Sequence, residues 1–313
     1  MPKRLILSLI LLLTTLLSPQ FAPAEDGSSL AAAQSAATAN PPRGTLYEVR
    51  YQGHTSYLFG TIHVGKAEFF PLEPRATQRL ANADVLAIEV DMRDATALQN
   101  AMFKYSVYPN SGTVDKHVSA AALKRMKGAL ENIGLPYDGV AHFKAWMIAN
   151  LITIASVEKQ GYHTGESSES YLLDTAKAQG KTVVGLESAA FQLSLFDKLT
   201  EKQQESYLLE SLDDLESGET AKKTQDLLDA WSKADEQAFD GLLQEARDDK
   251  TVNGKFVYRE LLAKRNPAMA DRIATLMKEN KSVFVGIGLL HLIGSGGVPQ
   301  LLKNKGYEVT RLY

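Results

Sequence analysis

Two histidines stand in matching surroundings near opposite ends of this chain. His63 comes three residues after Gly60, at the end of the apolar run Tyr57 to Ile62, and His291 comes three residues after Gly288, at the end of the run Val283 to Leu290. The chain holds only six histidines, so the repeat engages a large share of them. Two further apolar runs end in acids: Val85 to Ile88 leads into Glu89, and Thr182 to Leu186 into Glu187. Two imidazoles and two carboxylates are a sufficient donor set for a divalent ion such as manganese, cobalt or zinc. Such an ion polarises a carbonyl and lowers the pKa of water, leaving a carboxylate that is not a ligand to act as general base. His63, His291, Glu89 and Glu187 are therefore the candidate metal ligands, and Glu89 and Glu187 the candidate catalytic acids. A plainer reading stands beside this one. A single Gly-x-x-His step arises readily by chance, and a buried histidine is more often hydrogen-bonded structure. Glu89 with Asp91 could cap a helix, and Glu187 with Ser188 could open one.

These residues need elements to bring them together. Short strand patterns over 45–50 and 55–59 flank the turn signal Tyr51-Gln52-Gly53-His54 and read as a hairpin. Buried strands are predicted over 84–91, 181–186 and 281–287, with a closing strand over 307–312. Helical spacing recurs over 71–83, 95–103, 119–133, 143–157 and 167–179. A helix over 259–278 is predicted to be interrupted at Pro267, and another runs over 296–305. The polar stretch 199–243 carries apolar residues at helical spacing without a strand signal, and reads as a helical insert before the C-terminal strands. Strands alternating with helices imply an α/β fold, a central mixed sheet covered by helices. In such sheets sites form at the carboxyl ends of the strands, where His63, Glu89, Glu187 and His291 fall. A residue without Cβ at Gly60 or Gly288 lets the backbone turn or approach a ligand closely. Arg265-Asn266, just before Pro267, either caps a helix or reaches into the crevice to bind a substrate carboxylate or phosphate. Gly286-Ile287-Gly288 begins like a dinucleotide-binding loop, but His291 stands where the third glycine is needed.

The bulk of the sequence narrows the options. Lys3-Arg4, an apolar run over 5–17 and Ala22-Pro23-Ala24 have the layout of a signal peptide over 1–24. The Ala-, Ser- and Pro-rich stretch 25–44 reads as a disordered linker, and 45–313 as the domain. A periplasmic or secreted protein with no transmembrane segment in the mature chain is expected. Cysteine is absent, which excludes disulfides, thiolate metal sites and a cysteine nucleophile. With 34 basic against 37 acidic residues and no basic tract, nucleic acid is not an expected partner. A peptide or small-molecule ligand is.

The order YLFGTIHVGK, VLAIEVD, GKTVVGLES, RNPAMADRI and VFVGIGLLHLIGSGGVPQLLKNKGYEV resembles the TraB/GumN/Tiki family, over Tyr47 to Tyr313. The resemblance implies a fold related to the erythromycin-esterase and ChaN-like group. Through the animal Tiki members, it also implies a divalent-metal-dependent protease built on paired Gly-x-x-His motifs and a glutamate. Carried over, it marks Gly60 and Gly288 as supporting glycines and His63, His291, Glu89 and Glu187 as site residues. It adds Arg265 and Asn266 as polar neighbours, the pair read above as candidate substrate-binding residues. Where the family has an aspartate ahead of a Tyr-Leu pair, this chain has Glu169. The expected function is a metal-dependent hydrolase acting on peptides. The alternative is a non-catalytic binding protein that sequesters a peptide, a haem-like group or a metal in the same crevice. A third reading makes the insert a docking surface in cell-envelope assembly.

Overall fold

A computed structural model describes residues 40–280 and 282–313; the expected signal peptide and most of the linker lie outside them. Among the described residues six strands form one mixed sheet: β1 Leu46–Tyr51, β2 His54–Thr61, β3 Val85–Val90, β4 Thr182–Glu187, β5 Val283–Gly288 and β6 Glu308–Arg311. Their order is β4-β3-β5-β2-β1-β6. The four strands from β4 to β2 run parallel, and β1 is antiparallel to both β2 and β6. The β1–β2 turn is tight because Gln52 and Gly53 both take positive φ, +48° and +82°, as a primed hairpin turn requires.

The central strands read as unbroken apolar runs because helices cover both faces of a parallel sheet. Leu58, Phe59, Leu86, Ile88, Phe284 and Val285 are all fully buried there. A second core forms where Ala145–Glu158 meets the helix Glu201–Glu216, around Trp146, Phe196, Tyr207, Leu208 and Phe256. The expected insert is thus part of both cores. Its first helix belongs to this second core, and its next helix, Glu219–Ser232, seals the sheet with Trp231.

Trp231 is fully buried. Its indole N–H donates to the Gly60 carbonyl at 2.8 Å, and its own carbonyl accepts from Gly44 N. The chain is therefore already anchored at Gly44, and at Arg43, whose guanidinium donates to the Phe69 carbonyl, just inside the stretch expected to be linker. Replacing Trp231 with alanine is expected to cost about 3–5 kcal/mol by urea unfolding, as for other buried aromatics. Phenylalanine is expected to recover much of the packing but leave the Gly60 carbonyl unpaired, at about 1–3 kcal/mol.

Two elements differ from expectation. The helix predicted over 259–278 with a break at Pro267 is a π-helix, Phe256–Ala263, followed by a separate α-helix, Asn266–Glu279. Pro267 lies in the first turn of the second helix, where its missing N–H costs nothing, so it starts a helix rather than interrupting one. The helix Ala189–Asp197 is not among the predicted elements, although Glu187 with Ser188 reads as able to open a helix; Ser188 caps it by accepting from Phe191 N.

Candidate functional site

β2, β3, β4 and β5 end side by side, and the predicted residues gather there. Thr61 and Gly288 pair across β2 and β5, and Val90 and Glu187 across β3 and β4. His63 lies just past β2, Glu89 near the end of β3, Glu187 at the end of β4 and His291 in the turn Leu289–Leu292 after β5.

The segment carrying His63 is clamped to the start of the helix Ser168–Ala178. Ile62 N donates to Ser168 Oγ at 2.7 Å, and Ser168 N to the Ile62 carbonyl at 3.1 Å. This clamp sets Glu169 beside His63, with Glu169 Oε1 2.7 Å from His63 Nδ1. Burial opposes the charged form of His63, but Glu169, with Glu89 further off, outweighs it and raises the imidazole pKa above its ordinary value. His63 Nδ1 is thus occupied, and its Nε2 faces the sheet end.

His291 is buried and neutral. Burial pushes its pKa down to about 3. Its Nδ1 pairs with Asn266 Oδ1, while Asn266 Nδ2 donates to the Gly296 carbonyl at 2.8 Å. That second bond orients the Asn266 amide and so fixes the imidazole tautomer with hydrogen on Nδ1. His291 Nε2 therefore carries a lone pair. It is buried without a hydrogen-bond partner and stands 3.9 Å from Glu89 Oε2.

Glu89 is an anion in an apolar interior, and three groups hold it. Gly288 N donates to its Oε2 at 3.2 Å, Gln192 Nε2 to its Oε1 at 2.8 Å, and Arg265 Nη2 also reaches Oε1. Burial alone would raise the Glu89 pKa, but the Arg265 guanidinium holds it far below the carboxylate range. Both oxygens of Glu187 accept from Arg265 Nε at 3.1 Å, and its Oε2 also accepts from Arg265 Nη2 at 2.7 Å and from Gln192.

Arg265 and Asn266 were expected to contact substrate. The Arg265 side chain is 1% exposed, and its donors are taken by Glu89, Glu187 and the Leu261 carbonyl. Two carboxylates entering an apolar interior need such a cation, so Arg265 is placed as an internal counter-ion. Asn266 is likewise buried, between His291 and Gly296. The two glycines also differ in role. Gly60 lies inside β2, where a Cβ would press on Leu289 Cδ1 at 2.9 Å. Gly288 opens a cradle: a Cβ there would lie 3.5 Å from both Glu89 Oε2 and His63 Nε2, and 3.6 Å from His291 Cδ2.

Gln192, which bridges Glu89 and Glu187, escaped the sequence reading. The signal for it is slight: Ser188 as a cap after Glu187, and an amide one turn further on.

Three donor side chains thus surround one small space, with a buried lone pair on His291 facing a carboxylate oxygen. Donors about 2.1 Å from one tetrahedral ion stand about 3.4 Å apart, close to the 3.9 Å separating His291 Nε2 and Glu89 Oε2. Among the described residues no group of three or more His, Cys, Asp or Glu side chains is arranged so that it could hold a metal ion as it stands. Each imidazole has an oxygen on its other nitrogen, the support that metal-binding histidines usually have.

Comparison with known proteins adds a lineage. The uncharacterized protein YbaP of Shigella flexneri is 28% identical over 253 residues, covering 79% of this chain and 88% of that protein. The Escherichia coli YbaP is 27% identical over a similar span. Metalloprotease TIKI2 of Xenopus tropicalis is 24% identical over 302 residues, 81% of this chain but 57% of that longer protein. No solved structure matches. Among the described residues no helix is long and apolar enough to cross a membrane. With the TraB/PrgY/gumN family model matching residues 45–311, nearly all of the described residues, this chain belongs to that family.

Proposed function

We propose that this chain is a divalent-metal-dependent hydrolase that cleaves peptide bonds and works outside the cytoplasm after export by its N-terminal segment. The observation that carries the reading is the buried confrontation of two electron pairs, His291 Nε2 and Glu89 Oε2, with His63 Nε2 beside the same cradle. Such an arrangement is costly unless a cation lies between the donors. The Tiki relatives, named as metalloproteases, support the same chemistry, and the chain's charge of −3 favours a peptide or small molecule over nucleic acid.

His63 Nε2, His291 Nε2 and Glu89 Oε2 would hold the ion. When bound, it supplies Lewis-acid polarisation of the scissile carbonyl. The chain positions the donors. Glu169 orients His63 and keeps the proton at Nδ1; Asn266 does the same for His291. Arg265, Gln192 and Gly288 N keep Glu89 ionised and aimed at the cradle. Glu187, with both oxygens on Arg265, holds that guanidinium in register and is not a ligand. The alternative, sequestration without turnover, draws on the same pairing, since Arg265 already balances part of the site's negative charge.

The test is peptide cleavage by the purified chain before and after chelation, with manganese, cobalt and zinc added back singly. Activity should vanish on chelation, return with one of the ions, and be absent from His63→Ala under every condition. Cleavage that survives both treatments sinks the reading, and stoichiometric metal without cleavage favours sequestration.

A further inference from the structure

A small crevice of about 60 Å3, partly open to solvent, adjoins the cradle. His63, Gly288 and His291 line one side of it. The opposite side is apolar: Leu227 from the insert helix Glu219–Ser232, and Val257, Leu261 and Leu262 from the π-helix. Lys223, one turn before Leu227, also lines it. Lys223 is 6% exposed, and its ammonium has no hydrogen-bond partner. Asp214 Oδ2 lies 3.9 Å away, an ion-pair distance but too long for a hydrogen bond. Glu219, Glu245 and Asp249 add weaker attraction. Burial nonetheless draws the lysine below its ordinary pKa, so these acids do not replace the hydration it has lost. A buried donor without an acceptor is costly. An apolar wall with a few polar groups converging beside reactive side chains is the usual form of a small-ligand site.

We propose that this crevice is a substrate subsite that takes a small aliphatic side chain against Leu227, Val257 and Leu261, while the Lys223 ammonium, turning out of its enclosed position, donates to an oxygen of the same substrate residue. This rests on the peptide-hydrolase reading for its setting, but binding here does not need turnover. Lys223 and Leu227 are then the specificity residues of the insert. The oxygen comes either from an internal peptide carbonyl or from a terminal carboxylate.

The experiment is calorimetric binding of N-acetyl-leucine, N-acetyl-leucinamide and N-acetyl-glycinamide to the full chain. Both leucine probes should bind at least about tenfold more tightly than the glycine probe. Leu227→Asp should erase that preference, and Lys223→Met should weaken both leucine probes about tenfold. A free acid favoured over the amide assigns the oxygen to a chain terminus; equal binding assigns it to an internal carbonyl. If Leu227→Asp fails to fold, Leu227→Trp, which fills the crevice instead of charging it, should exclude the leucine probes. Equal binding of leucine and glycine probes overturns the subsite, and an unchanged Lys223→Met removes the lysine from it. A chain that binds leucine probes but never cleaves peptides would keep the subsite and lose only the hydrolase reading.

Discussion

Gly288→Ala is expected to abolish metal binding and hydrolysis in a protein that otherwise folds as before. The backbone at Gly288, with φ −48° and ψ 133°, is open to alanine. The added methyl would meet its nearest neighbours at 3.5–3.6 Å, ordinary van der Waals distance. Fewer unfolded conformations would stabilise the variant by about 0.4–1 kcal/mol if nothing else changed. Those neighbours, however, are Glu89 Oε2, His63 Nε2 and the His291 ring. The methyl occupies the space the three donors share, so an ion can enter only by displacing one of them. A loss of at least roughly a hundredfold in metal affinity is expected, about 2.7 kcal/mol. Metal titration and thermal unfolding on the same sample check this. A variant that binds metal as the parent does would show that the cradle is not the site.

Arg265→Met should have the largest effect on stability. The guanidinium is fully enclosed between Glu89 and Glu187. Its removal strands two carboxylates in the interior, and losing one partner of such a network costs about 3–5 kcal/mol in equilibrium unfolding. Lysine should recover only part of this, because a single ammonium cannot reproduce the fork that spans both acids. Adding Glu187→Gln should relieve some of the loss, a non-additivity that identifies the coupling. The sign of the pH dependence should also reverse. In the parent, the depressed pKa of Glu89 contributes stability that is complete above the ordinary carboxylate pKa and is lost as pH falls through the folded value. Without Arg265, burial leaves Glu89 favouring the proton, so acidification should narrow the gap between variant and parent.

Much of this arrangement was legible in the sequence because parallel strands buried on both faces leave long apolar runs, and polar residues at their ends stand out. His63, Glu89, Glu187 and His291 were visible that way, and the ladder registers carry them to one edge. Residues whose meaning is set by distant partners were not. Arg265 reads locally as a helix cap; its partners lie 78 and 176 residues away. Gln192 sits on a helix whose apolar residues are spread around its circumference, so no amphipathic stripe announced it. Helical spacing marks Trp231 as a packing position of the insert, but nothing in its neighbourhood indicates the Gly60 carbonyl it seals.

The strand order has a consequence for synthesis. β5, the penultimate strand in the chain, lies in the middle of the sheet, between β3 and β2. Until residues 283–288 have been made, the earlier strands form two separate ribbons, each with a bare apolar edge prone to stray pairing. A ribosome releasing this protein from its amino end must therefore hold back the keystone almost to the last. A chain truncated before β5 is expected to aggregate rather than fold, and every donor in the cradle stays unassembled until the final tenth of translation.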